Sequence, residues 1–338
     1  MKEIKVGVIG CGYWGPNLIR NFNDSVHTDI HSVCDLIRER LDSIRIRYPQ
    51  VKITEDYRDI LKDDNIEAVA IATPVSSHYK IVSDALKAGK HVLVEKPLTT
   101  NVKEAESLVN LAAKKGLVLL VDHIFIYTNA IQKIKDYLSK GELGEMYYFD
   151  SVRINLGLFQ HDINVIWDLA PHDLAVMDHL ISEQPISITA TGSSHTPSRY
   201  EDVAYITLQF KSSFIAHFHV NWMSPVKIRK IIIGGSRKML VFDDLDPSEK
   251  IKLYDKGIQV TKTDKNSIYQ SLVQYRIGDI YSPSIDSTEA LKAVIDHFAD
   301  CINNNKTPVT DGKAGLRVVR LLEAADKSLK KGGVKVKL

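Results

Sequence analysis

Residues Lys5–Gly15 read KVGVIGCGYWG and contain the most informative fold signal in this chain. Val6–Ile9 is a short apolar run, which is typical of a buried parallel strand. The segment Gly10–Gly15 follows with the spacing G-x-G-x-x-G, and helical spacing resumes over Pro16–Phe22. A strand, a glycine turn and a helix in this order predict a dinucleotide-binding βαβ unit.

Each glycine of this turn has a predicted role. Gly10 allows the sharp turn, Gly12 lets the backbone approach a pyrophosphate, and Gly15 lets the helix pack close to the strand. The free N–H groups and the dipole at the helix start would then bind the phosphates. Tyr13 and Trp14 lie inside the loop and are predicted to contact the cofactor. The alternative, an ordinary strand-to-helix turn, is disfavoured by the sequence that follows.

A carboxylate ends the second predicted strand, Ile30–Asp35, 20 residues after Gly15. In this place Asp35 would accept hydrogen bonds from the hydroxyls of the adenosine ribose. Its charge would repel a 2′-phosphate, so we predict NAD as the cofactor, and Arg38 three residues later leaves NADP as the alternative. The non-functional interpretation is that Asp35 caps a helix over Leu36–Arg47.

Length and composition narrow the class of protein. A chain of 338 residues favours two domains. The net charge of +2, with Lys and Arg spread along the chain, gives no case for nucleic acid or a membrane surface as a partner. We expect no signal peptide and no membrane span. The three cysteines have neither metal nor redox spacing, so we expect a reduced, cytoplasmic protein without a metal site.

Strands and helices alternate as far as residue 122, which predicts a doubly wound parallel sheet, the Rossmann domain, over 1–122. Three of its apolar strands end in Thr73-Pro74, in Glu95-Lys96-Pro97 and in Asp122-His123. Because ligands bind beyond the carboxyl ends of such strands, we expect these residues to converge on one crevice.

Two helix starts in this region are also predicted. Ser76 is expected to cap a helix that runs to Ala88, and Thr100 or Asn101 to cap the helix over 102–115. Gly89 and Gly116 are expected to end these helices.

Residues 123–338 are predicted to form an α+β domain with a large, mainly antiparallel open sheet. After a long strand over Met146–Ile154, the expected strands are 186–194, 203–210, 214–222, 228–234, 238–243, 250–255 and 258–263. We expect a meander, and we expect the helix over 313–330 to return to the first domain.

The open sheet is expected to pack one face on a helix over Ile166–Ile181. The other face is predicted to be covered by another subunit, in a homodimer or homotetramer. Residues assigned to that second face are Ile206, Leu208, Ile215, His217 and His219.

Several segments show a resemblance to a known family. With them the chain resembles the glucose–fructose oxidoreductase/inositol dehydrogenase (Gfo/Idh/MocA) family of NAD(P)-dependent sugar dehydrogenases. The matching segments are Gly10–Gly15, Ala72-Thr73-Pro74 with His78, Ala88–Pro97 (AGKHVLVEKP) and Asp168–His172 (DLAPH). Further segments are similar to the branch that oxidises or reduces C3 of a UDP- or dTDP-sugar: Gly12–Asn17, Ser151–Gly157 and Asn164–Asp173.

The resemblance assigns roles to the first-domain residues. Lys96 would lie beside the nicotinamide and hydrogen-bond the reacting oxygen, and the bond before Pro97 would be cis. Glu95 would face the nicotinamide or cap the turn. Cofactor contacts are also expected from Thr73, Pro74 and His78.

Asp168 and His172 stand four residues apart and would share one face of a helix. Pro171 suits that helix only in its first turn, which places both side chains at the helix start. A histidine beside a carboxylate can act as a general base near neutral pH. In the resembled family the histidine is the base, and the aspartate orients it or contacts the sugar. The alternative is a capping Asp168 with a surface His172.

Substrate contacts are less defined. Phe125 and Tyr127 would shape a sugar pocket or line the domain junction. Arg153, with Asn155, suits bidentate contact to a phosphate or carboxylate, and the alternative is a surface arginine on a strand. Tyr275-Arg276, in a predicted polar loop, is a further candidate for nucleotide binding.

The sequence therefore predicts an NAD-dependent oxidoreductase that acts on a sugar carbinol. The resemblance implies C3 of a nucleotide-linked (UDP- or dTDP-) sugar, such as a uronate derived from UDP-N-acetylglucosamine. The alternatives are a reductase of a nucleotide-linked 3-keto sugar and a dehydrogenase of free inositol or another polyol. A non-catalytic dinucleotide sensor is a different class, and it has no need of Lys96, Asp168 and His172 together.

Overall fold

The computed structural model describes residues 2–157, 163–197, 199–255 and 278–338, together with the backbone of 257–260 and 273–276. The chain divides into two compact units. The first comprises Met1–Thr128 and Thr288–Glu323, and the second comprises Asn129–Ser287 and Ala324–Leu338. The first unit thus takes in a second segment of chain beyond the range 1–122.

A six-stranded parallel sheet forms the centre of the first unit, with the strand order β3-β2-β1-β4-β5-β6. This order confirms the predicted doubly wound sheet. The strands are β1 (Ile4–Ile9), β2 (Thr28–Cys34), β3 (Lys52–Thr54), β4 (Ala68–Ile71), β5 (His91–Glu95) and β6 (Leu119–Asp122). The helices are α1 (Gly15–Asp24), α2 (Arg38–Arg47), α3 (Tyr57–Lys62), α4 (Val75–Lys87) and α5 (Val102–Lys115), and a 3-10 helix covers Ile124–Tyr127.

The predicted ends of helix α5 are confirmed, whereas the predicted start of α4 is not. The side chain of Asn101 accepts the N–H of Glu104 at the start of α5, and Gly116 ends that helix at φ +65°. The prediction for Ser76 was wrong, because α4 already begins at Val75. Its N-cap is Pro74, whose φ of −57° suits a helix start and whose missing N–H costs nothing there.

The second unit is built on a nine-stranded mixed sheet with the order β16-β13-β12-β11-β7-β10-β9-β8-β17. Its first helices and strands are α6 (Asn129–Ser139), β7 (Met146–Leu156), α7 (Val165–Leu180), β8 (Ser187–Ser193), β9 (Val203–Gln209), β10 (Ile215–Asn221) and β11 (Met223–Gly235). The next strands are β12 (Met239–Asp243), β13 (Ile251–Tyr254), β14 (Gly257–Val260), β15 (Val273–Arg276) and β16 (Ile280–Tyr281). Within the described ranges, β14 and β15 form a separate two-stranded sheet.

The predicted meander was wrong at one strand. β7 lies between β10 and β11, parallel to β10 and antiparallel to β11. β7 is the centre of the sheet, and Phe149, Ser151 and Arg153 on one of its faces are buried.

Helix α7 covers one face of this sheet. Ile206 pairs with Phe218 and Leu208 pairs with Ala216, and all four side chains are buried. The prediction that Ile206 and Leu208 belong to the opposite face was therefore wrong. That opposite face carries Tyr205, Ile215, His217 and His219, of which Tyr205 and Ile215 are exposed.

The last elements are α8 (Ala290–Asn303), α9 (Gly312–Lys330) and β17 (Val336–Lys337). In the first unit α8 packs on α1 and on the 3-10 helix, and Arg20 forms an ion pair with Glu289. α9 begins in the first unit and ends in the second. β17 pairs with β8 at an edge of the second sheet. Among the helices within the described ranges, none is long and apolar enough to span a bilayer.

Candidate active site

The glycine loop of the first unit has the geometry that a bound diphosphate needs. Gly10 has φ +101°, and a Cβ there would lie 2.6 Å from the carbonyl oxygen of Ala72. A Cβ on Gly15 would lie 2.1 Å from the carbonyl oxygen of Gly10. At Gly12 the nearest neighbour of a Cβ would be Arg40 Nη1, 3.9 Å away. Packing requires the outer two glycines, while the middle one leaves open the space that a phosphate would occupy. Tyr13 and Trp14, in the same loop, are both exposed.

The buried carboxylate of Asp35 ties the end of β2 to this loop. Oδ2 accepts the N–H of Cys11 at 2.6 Å, and Oδ1 accepts the N–H of Ile37 at 2.9 Å. Because α2 begins only at Arg38, Asp35 is not the cap of that helix. Burial, together with the charge of Asp35, raises the pKa of the Cys11 thiol to about 12, so the cysteine in the loop stays neutral.

Two arginines at the start of α2 have different surroundings. Arg38, the predicted source of NADP tolerance, lies 3.4 Å from both Asp42 and Glu55. Arg40, which sequence reasoning missed, lies 3.5 Å from Asp35 Oδ2. Helix α2 begins at Arg38, two residues later than predicted. With this start, Arg40 rather than Arg38 lies next to the glycine loop.

His78 lies behind the strand ends rather than at their surface. Its Nδ1 is 2.9 Å from the carbonyl oxygen of Pro97, and its Nε2 is 2.8 Å from that of Thr73. The ring is buried. The expectation of a cofactor contact is corrected, because both ring nitrogens are engaged by backbone and His78 instead links the ends of β4 and β5. Thr73, whose carbonyl oxygen faces this ring, is half-buried, and Pro74 is exposed.

The Glu95-Lys96-Pro97 turn follows β5. The Lys96–Pro97 peptide bond is cis, as expected. Glu95 is buried, and its Oε2 accepts the N–H of Lys96 at 3.2 Å, so Glu95 holds the turn. Lys96 itself is half-buried.

The 3-10 helix after β6 carries the two aromatic candidates. The hydroxyl of Tyr127 lies 3.0 Å from Thr310 Oγ1, and its ring packs on His297 with the centroids 5.5 Å apart. Burial raises the pKa of Tyr127, so the phenol stays neutral. Tyr127 is thus occupied inside the first unit, while Phe125 is half-buried in the same turn.

In the second unit, helix α7 carries Asp168 and His172. The side chain of Asn164 caps the helix by accepting the N–H of Trp167. Asp168 follows in the first turn and His172 one turn later, and both are half-buried. The prediction that Pro171 lies in the first turn was wrong, since the helix begins at Val165 and contains the proline in its interior. Asn164, rather than Asp168, caps the helix.

Asp168 has a partner that the sequence did not reveal. Its Oδ2 accepts a 2.9 Å hydrogen bond from the indole Nε1 of Trp222, which is buried directly after β10. Trp222 also packs on Gly157, where a Cβ would lie 2.6 Å from the indole ring. The contact spans 54 positions in the chain, and no local pattern signals it.

Arg153 is engaged inside the second unit. Its Nε lies 2.7 Å from Asp173 Oδ2 and its Nη2 lies 2.9 Å from Oδ1, and both side chains are buried. The predicted contact of Arg153 with a substrate anion is corrected, because its guanidinium group already makes two hydrogen bonds to the carboxylate of Asp173. Asn155 is half-buried near the end of β7. The prediction that Tyr275-Arg276 lies in a loop was wrong, because both residues belong to β15, and their side chains lie outside the described residues.

A parallel sheet of this order, with a glycine turn after its first strand and a Lys-Pro turn after its fifth, defines a dinucleotide-binding protein of the Rossmann class. Residues 4–123 match the profile of an oxidoreductase family with an NAD-binding Rossmann fold, Gfo/Idh/MocA, and residues 135–338 match the C-terminal alpha/beta domain of the same family. The chain belongs to the Gfo/Idh/MocA family of oxidoreductases.

Relatives in this family act on different sugars and polyols. The chain is 26% identical to a UDP-N-acetylglucosamine 3-dehydrogenase of Acidithiobacillus ferrooxidans, over 94% of this chain and 95% of the relative. It is 22% identical to a myo-inositol 2-dehydrogenase of Thermotoga maritima, over 96% of both chains. A solved structure of the Acidithiobacillus enzyme has the same fold, with a TM-score of 0.83 and 24% identity over 98% of this chain and 99% of that one.

Proposed function

We propose that this oxidoreductase transfers a hydride between NAD and C3 of a nucleotide-linked sugar, a UDP- or dTDP-sugar such as a uronate derived from UDP-N-acetylglucosamine. The observation that carries the proposal is the similarity to a UDP-N-acetylglucosamine 3-dehydrogenase along 94% of the chain. The sequence around Gly12–Asn17 and Asn164–Asp173 supports the same substrate class.

The first unit fits NAD. When bound, NAD supplies a nicotinamide C4 that accepts or returns a hydride. The open space at Gly12 and the start of α1 would hold the diphosphate. Asp35 would receive the ribose hydroxyls, since each carboxylate oxygen keeps a second lone pair beside the backbone N–H that it already accepts.

Three side chains carry the proposed reaction. The ammonium of Lys96 donates a hydrogen bond to the C3 oxygen and stabilises the negative charge that develops on it. A ring nitrogen of His172 takes the hydroxyl proton as the hydride leaves. Asp168, held by Trp222, orients the histidine or contacts the sugar.

Single substitutions test these roles. Lys96→Ala and His172→Ala should each lower turnover by at least roughly a hundredfold, the usual effect of losing an acid–base or oxyanion group. NAD affinity, measured by calorimetry, should stay within a few-fold of wild type. Matched controls are Lys80→Ala and His195→Ala, whose side chains are 72% and 54% exposed. A variant at Lys96 or His172 that keeps full turnover would remove that residue from the reaction.

Free inositol or another polyol is the second candidate substrate class. The similarity to a myo-inositol 2-dehydrogenase over 96% of the chain favours it. A reductase of a 3-keto sugar would show the same residues and would oxidise NADH with the keto substrate. A non-catalytic sensor would bind NAD with no turnover in either direction.

We also propose a homodimer or homotetramer in the cytoplasm. Tyr205 and Ile215 are 43% and 42% exposed on the face of the second sheet that α7 does not cover, which supports an interface there. Sedimentation velocity tests it, with Ile215→Arg expected to shift the protein toward monomer. An unchanged mass in that variant would place the contact elsewhere.

A further inference from the structure

Two acidic side chains lie next to each other inside the first unit. The parallel pairing of β5 and β6 aligns Glu95 with Asp122, the last residue of each strand. Glu95 is 8% exposed and Asp122 is 3% exposed. Burying two ionised carboxylates together is costly, because both lose water and they repel each other. Their protonation state therefore needs an explanation.

The two carboxyl groups lie close enough for a hydrogen bond between them. An ionised carboxylate only accepts hydrogen bonds, so a bond between two of them requires a proton on one. Burial raises the pKa of both groups and outweighs the opposing effect of Lys96. At least one of the two carboxyl groups is therefore expected to be protonated near neutral pH.

The titratable groups near Glu95 and Asp122 determine which of them can balance the negative charge of the pair. Burial and the charge of Lys96 lower the pKa of His123 to about 3, so this buried ring is neutral. Tyr127 is also neutral, because burial raises its pKa. Burial lowers the pKa of His78, so this ring is also neutral, and Asp311 caps α9 through the N–H of Ala314. Among these described neighbours in the first unit, only Lys96 supplies a positive charge to the pair.

We propose that Glu95 and Asp122 form an acid–carboxylate pair which shares one proton, and that its single negative charge positions the ammonium of Lys96 and keeps it protonated. The inference rests on the proposed contact of Lys96 with the reacting oxygen. Glu95 also accepts the backbone N–H of Lys96, so the same side chain fixes the turn and supplies the charge. Both acids are positioning residues, because they act through Lys96.

An infrared spectrum tests the shared proton without substrate or cofactor. The wild-type protein at neutral pH should show the C=O stretch of a buried protonated carboxylic acid. Glu95→Gln and Asp122→Asn should each remove this band, because the remaining acid no longer faces a second carboxyl group and Lys96 favours its ionised form. Asp311→Asn should retain it. If the wild type lacks the band, or if either variant keeps it, the pair does not share a proton.

A charge series tests the effect on Lys96. Each single amide variant keeps one negative charge, whereas Glu95→Gln/Asp122→Asn keeps none. The pKa of Lys96, followed by NMR of labelled lysine and assigned with Lys96→Arg, should fall by at least about one unit in the double variant and stay within half a unit in each single one. An unchanged pKa in the double variant, or an equal fall in a single one, would overturn the proposal.

The infrared and turnover measurements distinguish a failure of the shared-proton proposal from a failure of the proposed function. If the spectra behave as stated but Lys96→Ala retains turnover, the pair stands and the role of Lys96 in the reaction fails. If Lys96→Ala is inactive but the infrared band is missing, the role of Lys96 in the reaction stands and the shared proton fails. Should the double variant not fold, the band and the two single variants still decide.

Discussion

The indole N–H of Trp222 donates a 2.9 Å hydrogen bond to the carboxylate of Asp168. Trp222 is buried after β10, whereas Asp168 lies in the first turn of α7. The bond thus fixes a half-buried carboxylate on the helix face that also carries His172. A fixed carboxylate can orient a neighbouring base, and a rotating one cannot.

Trp222→Phe should therefore impair catalysis. A hydrogen bond to a charged group is worth about 1.5–3 kcal/mol, so we expect kcat/KM to fall about tenfold or more. NAD affinity should not change. Phe218→Leu is the packing control, since Phe218 is buried in the same sheet. Equal activity of the two variants would show that Asp168 needs no positioning.

Asp35 and Arg40 are predicted to set cofactor choice. Asp35→Ala should weaken NAD binding and relax discrimination against NADP, because the charge that repels a 2′-phosphate is lost. Arg40→Ala should weaken NADP more than NAD, since Arg40 lies 3.5 Å from Asp35. Calorimetric titration of both cofactors measures this, with Arg38→Ala as the matched control. If Arg38→Ala changes the NADP:NAD ratio and Arg40→Ala does not, the assignment is reversed.

The buried pair of Arg153 and Asp173 is predicted to be structural. Asp173→Asn or Arg153→Met should cost about 3–5 kcal/mol, because each leaves a buried charge without its partner. Arg153→Met/Asp173→Leu should cost less than the sum of the two single changes. Urea unfolding gives the three values. Additive costs would show that the ion pair is not the source of the effect.

His123 should make stability depend on pH. Its pKa is lowered from 6.5 to about 3, so between these values the unfolded chain binds a proton that the folded chain does not. The contribution is fully present above pH 6.5 and is lost as the pH falls toward 3, with a slope of at most about 1.4 kcal/mol per pH unit.

His123→Phe should flatten the stability curve between pH 7 and 5. Neither ring nitrogen of His123 has a hydrogen-bond partner within the described part of the chain, so little is lost on substitution. Urea unfolding of both proteins across this range, each referred to its own value at pH 8, gives the slopes. Identical slopes would place the pH dependence in another group.

Local features of the fold could be predicted from the sequence because their causes are local. The Asn101 cap and the Gly116 helix end each depend on residues within a few positions of each other. The insertion of β7 between β10 and β11 could not be predicted, since strand order depends on pairing between distant segments.

In the candidate site, too, local features could be predicted and contacts between distant residues could not. Its residue types could be found from motifs, but their partners could not. Arg153 has a side chain that is suited to binding an anion. Only the position of Asp173 in the fold shows that the guanidinium group of Arg153 already binds a carboxylate. His78 belongs to a sequence motif of the cofactor domain, yet the fold turns its ring toward two carbonyl oxygens.

Hydride transfer at C3 of a nucleotide-linked sugar can be measured by following NADH formation spectrophotometrically. The protein and NAD would be incubated separately with UDP- and dTDP-sugars, with their uronates, and with free inositols and other polyols. Each active substrate would be repeated with Lys96→Ala. We expect NADH formation with a nucleotide-linked sugar, a 3-keto product, and loss of the signal in Lys96→Ala. NADH formation with free polyols alone would contradict it.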